Sequence, residues 1–254
     1  MPRSIDELPW LTPGAPFPAP TEALDDPNGL LAIGGSLDPD TLLRAYRAGI
    51  FPWFSDDQPI LWWSPNPRMV IRPHQLHVSR SLRKQLNRDR FHFSIDQAFA
   101  AVMLACAEPR DAVGGTWITD DMLDAYQTLH QLGHAHSLEV WRDGDLCGGL
   151  YGIHLGGVFF GESMFSRERD ASKCAFALLC TLAPVFSVAL IDCQVESPHL
   201  ERLGATNMPR QQFVTELDTL VDLPARRDWA TPVAPLADYR QRFRLESAFP
   251  PMGQ

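Results

Sequence analysis

The sequence predicts an α+β protein in which helices pack against a largely antiparallel sheet. Three strand-like segments lie between residues 137 and 165, and Asp143-Gly144 and Gly156-Gly157 separate them as turns typical of hairpins. Segments with helix-capping signals stand before and after this meander. The chain has 254 residues, of which 45% are hydrophobic, so it can bury the core of one large domain or of two smaller ones.

The first part of the chain predicts a small unit with one strand and one helix. Residues 1–28 are rich in proline and are expected to form an extended arm or loop. Residues 30–33 are a short apolar strand. Asp38 and Pro39 then supply an N-cap and a first-turn proline for a helix over residues 41–48.

A dense aromatic stretch follows, over residues 51–63. Trp62 and Trp63 would point to opposite faces of a strand, so one of them is expected to be exposed. The stretch is therefore either a small aromatic core or a stacking platform for a base or ring.

Residues 65–67 contain two prolines and mark the expected boundary between a domain over 1–66 and a domain over 67–254. The second domain ends in a Pro-rich, loosely packed tail over about 224–254. Besides the meander, capping residues and apolar spacing in this domain predict a strand at 189–195 and helices at 96–107, 120–132, 171–182, 198–203 and 209–220.

Composition excludes several classes of protein. The formal charge is −9, so RNA binding would require a local basic patch. The five cysteines are odd in number and lack CxxC spacing, which indicates reduced thiols in a cytosol rather than disulfides or zinc. We expect no metal site, since His134 and His136 have no third ligand nearby in sequence. The uncharged run at residues 174–191 indicates a buried helix and strand rather than a membrane span.

A local basic patch does occur, within residues 68–90. Helical spacing places four of its members on one face of a helix that Ser79 or Ser81 would cap. The patch is either a phosphate-binding surface or a solvated helix face. Its basic residues are Arg68, Arg72, Arg80, Arg83, Lys84, Arg88 and Arg90, and the four with helical spacing are Arg80, Arg83, Lys84 and Arg88.

Residues 157–196 contain the strongest candidate site. In the predicted strand at 189–195, Asp192, Gln194 and Glu196 would share one face of an otherwise core-like strand. Glu162 interrupts an aromatic strand in the same way. If the two strands pair, carboxylates and an amide meet a wall of apolar side chains, which is the usual make-up of a binding pocket. The alternative is that Asp192 and Glu196 lie at strand ends and face solvent.

Several segments together resemble the leucyl/phenylalanyl-tRNA–protein transferase family. They occur in the family's order and span roughly residues 20–215. The segments are Pro27-Asn28-Gly29-Leu30-Leu31-Ala32, Arg47-Ala48-Gly49-Ile50-Phe51-Pro52-Trp53-Phe54, Trp62-Trp63-Ser64-Pro65, Gly115-Thr116-Trp117-Ile118-Thr119, Leu132-Gly133-His134-Ala135-His136-Ser137, Gly161-Glu162-Ser163-Met164-Phe165-Ser166, Ala171-Ser172-Lys173 and Ile191-Asp192-Cys193-Gln194-Val195.

The resemblance implies a small N-terminal α/β domain followed by a GNAT-like acyltransferase domain. It also implies a reaction, in which Leu, Phe or less readily Met moves from aminoacyl-tRNA to a protein with an N-terminal Arg or Lys. The product enters N-end rule degradation. We accordingly expect a cytoplasmic enzyme that needs no cofactor, has no membrane partner and is a monomer.

The resemblance also implies site residues. Asp192 and Gln194 match the residues proposed as catalytic, with Asp192 orienting the incoming amine or taking its proton. Leu150 replaces an expected methionine and Phe176 a smaller aliphatic residue, which leaves the ranking of Leu, Phe and Met open. The implied substrate-binding residues are Trp53, Trp117, Leu150, Phe159, Gly161, Glu162, Ser163, Phe176 and Ile191, and the basic helix would contact tRNA phosphates.

Two other classes provide alternatives. An ordinary acyl-CoA transferase of the GNAT type needs a glycine-containing pyrophosphate loop before the central helix, and residues 167–172 contain no glycine. An RNA-binding module would use the aromatic residues and the basic helix, but it would leave Asp192, Gln194 and Glu162 without a role.

Overall fold

The computed structural model describes residues 4–87, 90–108, 117–224 and 227–229. Within these ranges the chain forms two sheets and a set of α-helices, so the predicted α+β class is confirmed. The helices are α1 (Pro39–Arg47), α2 (Arg80–Leu86), α3 (Phe99–Ala107), α4 (Asp120–Gln131), α5 (Ala171–Phe186), α6 (Pro198–Glu201) and α7 (Arg210–Leu220). The strands are β1 (Trp10–Leu11), β2 (Leu30–Gly34), β3 (Phe51–Pro52), β4 (Leu61–Trp63), β5 (Arg68–Ile71), β6 (His92–Ile95), β7 (Ala135–Arg142), β8 (Asp145–Leu155), β9 (Val158–Ser166), β10 (Leu190–Gln194) and β11 (Thr206–Met208).

The smaller sheet has the order β1-β2-β4-β3. The strand and helix predicted for this part are confirmed, and Asp38 caps α1 by accepting a hydrogen bond from the Thr41 amide at 3.0 Å. The proline-rich arm is not wholly irregular, because β1 within it pairs in parallel with β2. Trp62 is fully buried and Trp63 is partly exposed, as their alternation predicts.

The larger sheet has the order β11-β5-β10-β9-β8-β7-β6. The predicted meander is confirmed, since β7, β8 and β9 pair antiparallel in sequence order. β10 lies parallel to β9 and antiparallel to β5. The sequence did not predict β5, β6 or β11, which are only three or four residues long. Strands this short leave little room for an alternating pattern.

Helix α5 departs from the prediction at both ends. Asp170 stands at the N-cap position, but its side chain makes no capping hydrogen bond and instead accepts one from Lys173 Nζ at 2.6 Å. The helix continues past Pro184 to Phe186. It lies buried against the sheet for most of its length, and this packing offsets the hydrogen bond that proline cannot donate.

Two hydrophobic cores account for most of the buried side chains, and neighbouring residues of β9 belong to different ones. Phe160 packs in a core with residues of α1, α4 and α7, whereas Phe159 packs in a core with residues of α5. The larger sheet is therefore covered on both faces. Trp229 belongs to the second core and stacks on Phe186 with ring centroids 4.0 Å apart, so this part of the predicted tail is tightly packed. The rest of the tail lies mostly outside the described residues.

The described residues bear on two expectations drawn from composition, one about the cysteines and one about membrane-spanning helices. The five cysteines are unpaired thiols, and all are buried. Among the described helices, none combines the length and hydropathy that crossing a bilayer requires.

Candidate active site

The end of β10 brings two of the predicted residues together. The strand contains a bulge between Asp192 and Gln194, and Gln194 has a left-handed backbone with φ of 62°. The Gln194 amide donates a hydrogen bond to Asp192 Oδ1 at 2.9 Å. Simple alternation is therefore broken, but both side chains remain buried and line the same cavity. Glu196 is exposed, so the expectation of facing solvent holds for Glu196 and is wrong for Asp192.

Glu162, on β9, is the second carboxylate of the site. Its Oε1 accepts a hydrogen bond from Gln194 Nε2 at 2.8 Å, and its Oε2 accepts one from the Tyr126 hydroxyl at 3.1 Å. The Tyr126 hydroxyl in turn contacts the Tyr46 hydroxyl. Burial raises the pKa of Glu162 to about 7, and the negative charge of Asp192 adds to the increase. A carboxyl with such a pKa can exchange a proton near neutral pH.

Asp192 is held by a residue that the sequence assigned to another role. Arg68 donates to Asp192 Oδ1 from Nε at 2.8 Å and to Oδ2 from Nη2 at 2.6 Å, in a bidentate and fully buried ion pair. The guanidinium lies between the rings of Phe51 and Phe213, at 4.7 and 4.8 Å from their centroids. Grouping Arg68 with a phosphate-binding surface is therefore wrong, because its side chain is inaccessible to a polyanion.

A cavity of about 570 Å³ opens beside these groups, within the usual size range of a small-molecule pocket. It brings together nearly all the side chains that the sequence assigned to substrate binding. Those lining it are Trp117, Leu150, Phe159, Gly161, Glu162, Ser163, Phe176 and Ile191, together with Asp192 and Gln194. Sequence reasoning missed further wall residues, among them Tyr151, Leu179 and His199.

Trp53 was also predicted to bind substrate, but it is not among the described residues that line this cavity. Its side chain is 42% exposed, and its ring lies 5.7 Å from that of Trp63. Trp63 Nε1 donates to the Trp53 carbonyl oxygen at 2.7 Å, which fixes the backbone there. An exposed indole on a fixed backbone suits stacking on a base, so the role predicted for Trp53 stays a prediction.

Helix α2 exposes fewer of the basic side chains than the sequence indicated. Ser79 caps α2, on which Arg80 and Lys84 are exposed and Arg83 is half-buried. Arg88 lies outside the described residues. The assignment of these four residues to tRNA phosphates stays a prediction.

The two remaining basic residues of the patch are engaged in ion pairs. Arg72 pairs with Glu216 at 2.7 Å, and Arg90 pairs with Glu168 at 2.6 Å. Both pairs are only partly exposed, so these guanidinium groups serve to connect elements of the fold.

His136, on β7, belongs to a hydrogen-bonded cluster that does not line the cavity. His136 Nδ1 lies 2.7 Å from Asp96 Oδ2, and its Nε2 lies 3.1 Å from the Gly133 carbonyl oxygen. Potential metal-ligating atoms of Asp96, His130 and His136 lie within 4.8 Å of one another. His130 Nδ1 bonds the Ala135 carbonyl oxygen at 2.8 Å. The ring of Trp229 also stacks on His136. Because these contacts hold the side chains of the cluster in place, we interpret the cluster as structural.

Two buried carboxylates in contrasting environments lie beside an apolar cavity, an arrangement typical of a small-molecule binding site. Comparison with known proteins identifies the family. A family model described as leucyl/phenylalanyl-tRNA protein transferase matches residues 70–218, and a model of the N-terminal domain of the same transferase matches residues 35–66. The leucyl/phenylalanyl-tRNA–protein transferase of Hahella chejuensis is 52% identical over 228 residues, covering 90% of this chain and 97% of that protein. That of Aromatoleum aromaticum is 56% identical over 210 residues, covering 83% and 89%.

The chain therefore belongs to the leucyl/phenylalanyl-tRNA–protein transferase family, whose members are aminoacyltransferases. Among solved structures, a GCN5-related N-acetyltransferase from Kribbella flavida is similar over 67% of this chain and 61% of that one. The TM-score is 0.33 and the sequence identity 12%, and so distant a likeness adds nothing to the assignment.

Proposed function

We propose that this enzyme transfers leucine, phenylalanine and, less readily, methionine from aminoacyl-tRNA to proteins whose N-terminal residue is Arg or Lys. The modified proteins would then enter N-end rule degradation. Membership of the family supports the transfer of an amino acid from tRNA to protein. The observation that carries the finer proposal is the buried Glu162–Gln194 pair beside an apolar cavity.

The apolar wall supports the choice of donor. Leu150, Phe159, Phe176 and Ile191 offer no hydrogen-bonding side chain, so the donor's own side chain is selected by size and hydrophobicity. A pocket of this kind separates substrates that differ by one methylene by only about 1–3 kcal/mol. Tolerance of several large apolar amino acids follows from that weak discrimination.

The polar end of the cavity supports a role in handling the amine. The nitrogen of the acceptor's α-amine attacks the ester carbonyl carbon, the new C–N bond forms, and the ester C–O bond breaks. The tRNA hydroxyl leaves with a proton, and the amine loses one. Glu162, with a pKa of about 7, is suited to take that proton, because an α-amino group has a pKa of about 7.7–8. Gln194 would hold the amine or the carbonyl beside it.

We assign Asp192 a supporting role, in place of the proton-accepting role that the family resemblance implies. Three hydrogen bonds already occupy its oxygens, two from Arg68 and one from the Gln194 amide. It accordingly fixes the backbone of Gln194 through the hydrogen bond that it accepts from the Gln194 amide. Because the ester is already activated, holding amine and ester together is worth on the order of 7–11 kcal/mol in favourable cases. The reaction as proposed needs no cofactor.

The remaining assignments belong to the same proposal. Arg80, Arg83, Lys84 and Arg88 would contact tRNA phosphates without reading sequence. Trp53 and Trp117 would pack on the terminal adenosine or on the amino-acid side chain. We place the reaction in the cytoplasm, where the buried free thiols stay reduced, and expect a monomer to perform it.

The test uses labelled Leu-tRNA and two peptides that differ only in beginning with Arg or with Glu. We expect label on the Arg peptide alone. Label on both peptides would refute the acceptor rule. Tight tRNA binding without transfer to either would refute the reaction and favour an RNA-binding module.

A further inference from the structure

Two buried tyrosines extend the site beyond the residues that the sequence singles out. Tyr126 lies on α4 and Tyr46 on α1, in the part of the chain that the N-terminal family model matches. Both side chains are fully buried. The ring of Tyr46 packs at 5.2 Å from that of Phe160, which stands two residues before Glu162 on β9.

The hydroxyl groups form a chain that ends on Glu162. Ionised Glu162 can only accept hydrogen bonds, so at its 3.1 Å contact the Tyr126 hydroxyl must donate. With its proton committed, Tyr126 offers a lone pair, and the Tyr46 hydroxyl must donate to it. Tyr46 thereby holds the Tyr126 hydroxyl in the orientation that serves the carboxylate, and it also lowers the pKa of Glu162 itself.

We propose that Tyr126, oriented by Tyr46, is a positioning residue that stabilises ionised Glu162 for proton uptake from the attacking amine. The inference rests on the proposed function, in which Glu162 handles that amine. Under this proposal the N-terminal part of the chain contributes a residue, Tyr46, to the active site.

The surroundings of Glu162 show what the tyrosines contribute. The groups that face it are Tyr46 from α1, Tyr126 from α4, and Asp192 and Gln194 from β10. Arg68 of β5 lies behind Asp192, and Tyr151 of β8 packs against Tyr126. Burial and the charge of Asp192 raise the pKa of Glu162, whereas hydrogen bonds from the tyrosines and from Gln194 lower it. Without the hydroxyl donors, the carboxyl would remain protonated, and unable to act as a base, at higher pH.

The test is the pH dependence of kcat in Tyr126→Phe and Tyr46→Phe. Each change removes one hydroxyl and preserves the ring. We expect the acidic limb of the profile to move by roughly one unit to higher pH in each variant, because the hydroxyl groups of both tyrosines lower the pKa of Glu162. Ser137→Ala is the matched control, because it removes a buried hydroxyl that donates to a different buried carboxylate, Glu139. Its acidic limb should stay in place.

A second measurement keeps this inference separate from the proposed function. The ionisation of Glu162 is followed by NMR in protein labelled with carboxyl-¹³C glutamate, and the signal missing from Glu162→Gln identifies it. We expect its titration to move upward in Tyr126→Phe. An unmoved titration or an unmoved acidic limb would overturn the inference, even if kcat fell. A wild-type enzyme that transfers no label would refute the proposed function, and the titration would still decide the role of Tyr126.

Discussion

Replacing Glu162 by glutamine should change how stability depends on pH. Burial raises the pKa of Glu162 from 4.5 to about 7 in the folded protein. Well below pH 4.5 the carboxyl is protonated in both the folded and the unfolded states, so folding neither takes up nor releases a proton at this group. As pH rises towards about 7, the unfolded state ionises while the folded state does not. Stability is therefore lost across this window in the wild type and not in Glu162→Gln.

The size of the effect follows from the shift. A difference of about 2.5 units, at about 1.4 kcal/mol per unit, corresponds to roughly 3 kcal/mol of unfolding free energy across the window. Glutamine is nearly isosteric. Its carbonyl oxygen can accept from Gln194, and its amide can donate to the Tyr126 hydroxyl. The substitution thus removes the titration with little change in packing.

The assay is urea unfolding of both proteins at about pH 5 and about pH 8.5. The variant should gain about 2–3 kcal/mol relative to the wild type between these two conditions, and its transfer activity should fall. Glu196→Gln, which alters an exposed carboxylate two residues beyond Gln194, controls for the loss of one charge. If the stability difference between Glu162→Gln and the wild type is the same at both pH values, the reasoning about Glu162 is refuted.

Three further predictions concern the ion pair, the pocket and the basic helix. Arg68→Met should lower the unfolding free energy by about 3–5 kcal/mol, since it leaves Asp192 buried without its counter-charge, and adding Asp192→Asn should restore part of the loss in urea unfolding. Phe176→Leu widens the apolar wall and should shift the ratio of kcat/KM for Phe-tRNA over Leu-tRNA by about tenfold towards Phe; an unchanged ratio would remove Phe176 from the specificity pocket. Reversing the charges of Arg83 and Lys84 should raise KM for aminoacyl-tRNA several-fold and flatten its salt dependence, whereas an unaltered salt slope would exclude contact with phosphates.

Local sequence signals predicted a large part of the fold. Hairpin turns at Asp143-Gly144 and Gly156-Gly157 located the meander, and the capping residues Asp38, Ser79 and Thr119 located three helices. The strand containing Asp192 was recognisable because polar residues interrupt an apolar run. These features depend on residues close in sequence, whose effect on local structure is general.

The parts that were missed depend on residues far apart in sequence. Arg68 and Asp192 are separated by 124 positions, and Tyr46 and Tyr126 by 80. An arginine within a basic stretch ordinarily indicates a surface, and nothing adjacent to Arg68 shows that it is buried between two rings. The left-handed backbone of Gln194 could not be predicted from the sequence either. It is accompanied by the hydrogen bond that the Gln194 amide donates to Asp192, and this bond is visible only in the structure.

These distant residues explain how one site holds two carboxylates in different environments. Arg68 balances the charge of Asp192 by a bidentate ion pair, and both side chains are fully buried. Glu162 has no such cation among its hydrogen-bond partners in the described part of the chain. Burial and the charge of Asp192 raise its pKa, and the neutral hydrogen-bond donors offset only part of that rise. Environments that separate two carboxylates in this way usually assign them different roles. Asp192 is the fixed charge that orders the end of β10, and Glu162 is the group able to gain and lose a proton near neutral pH.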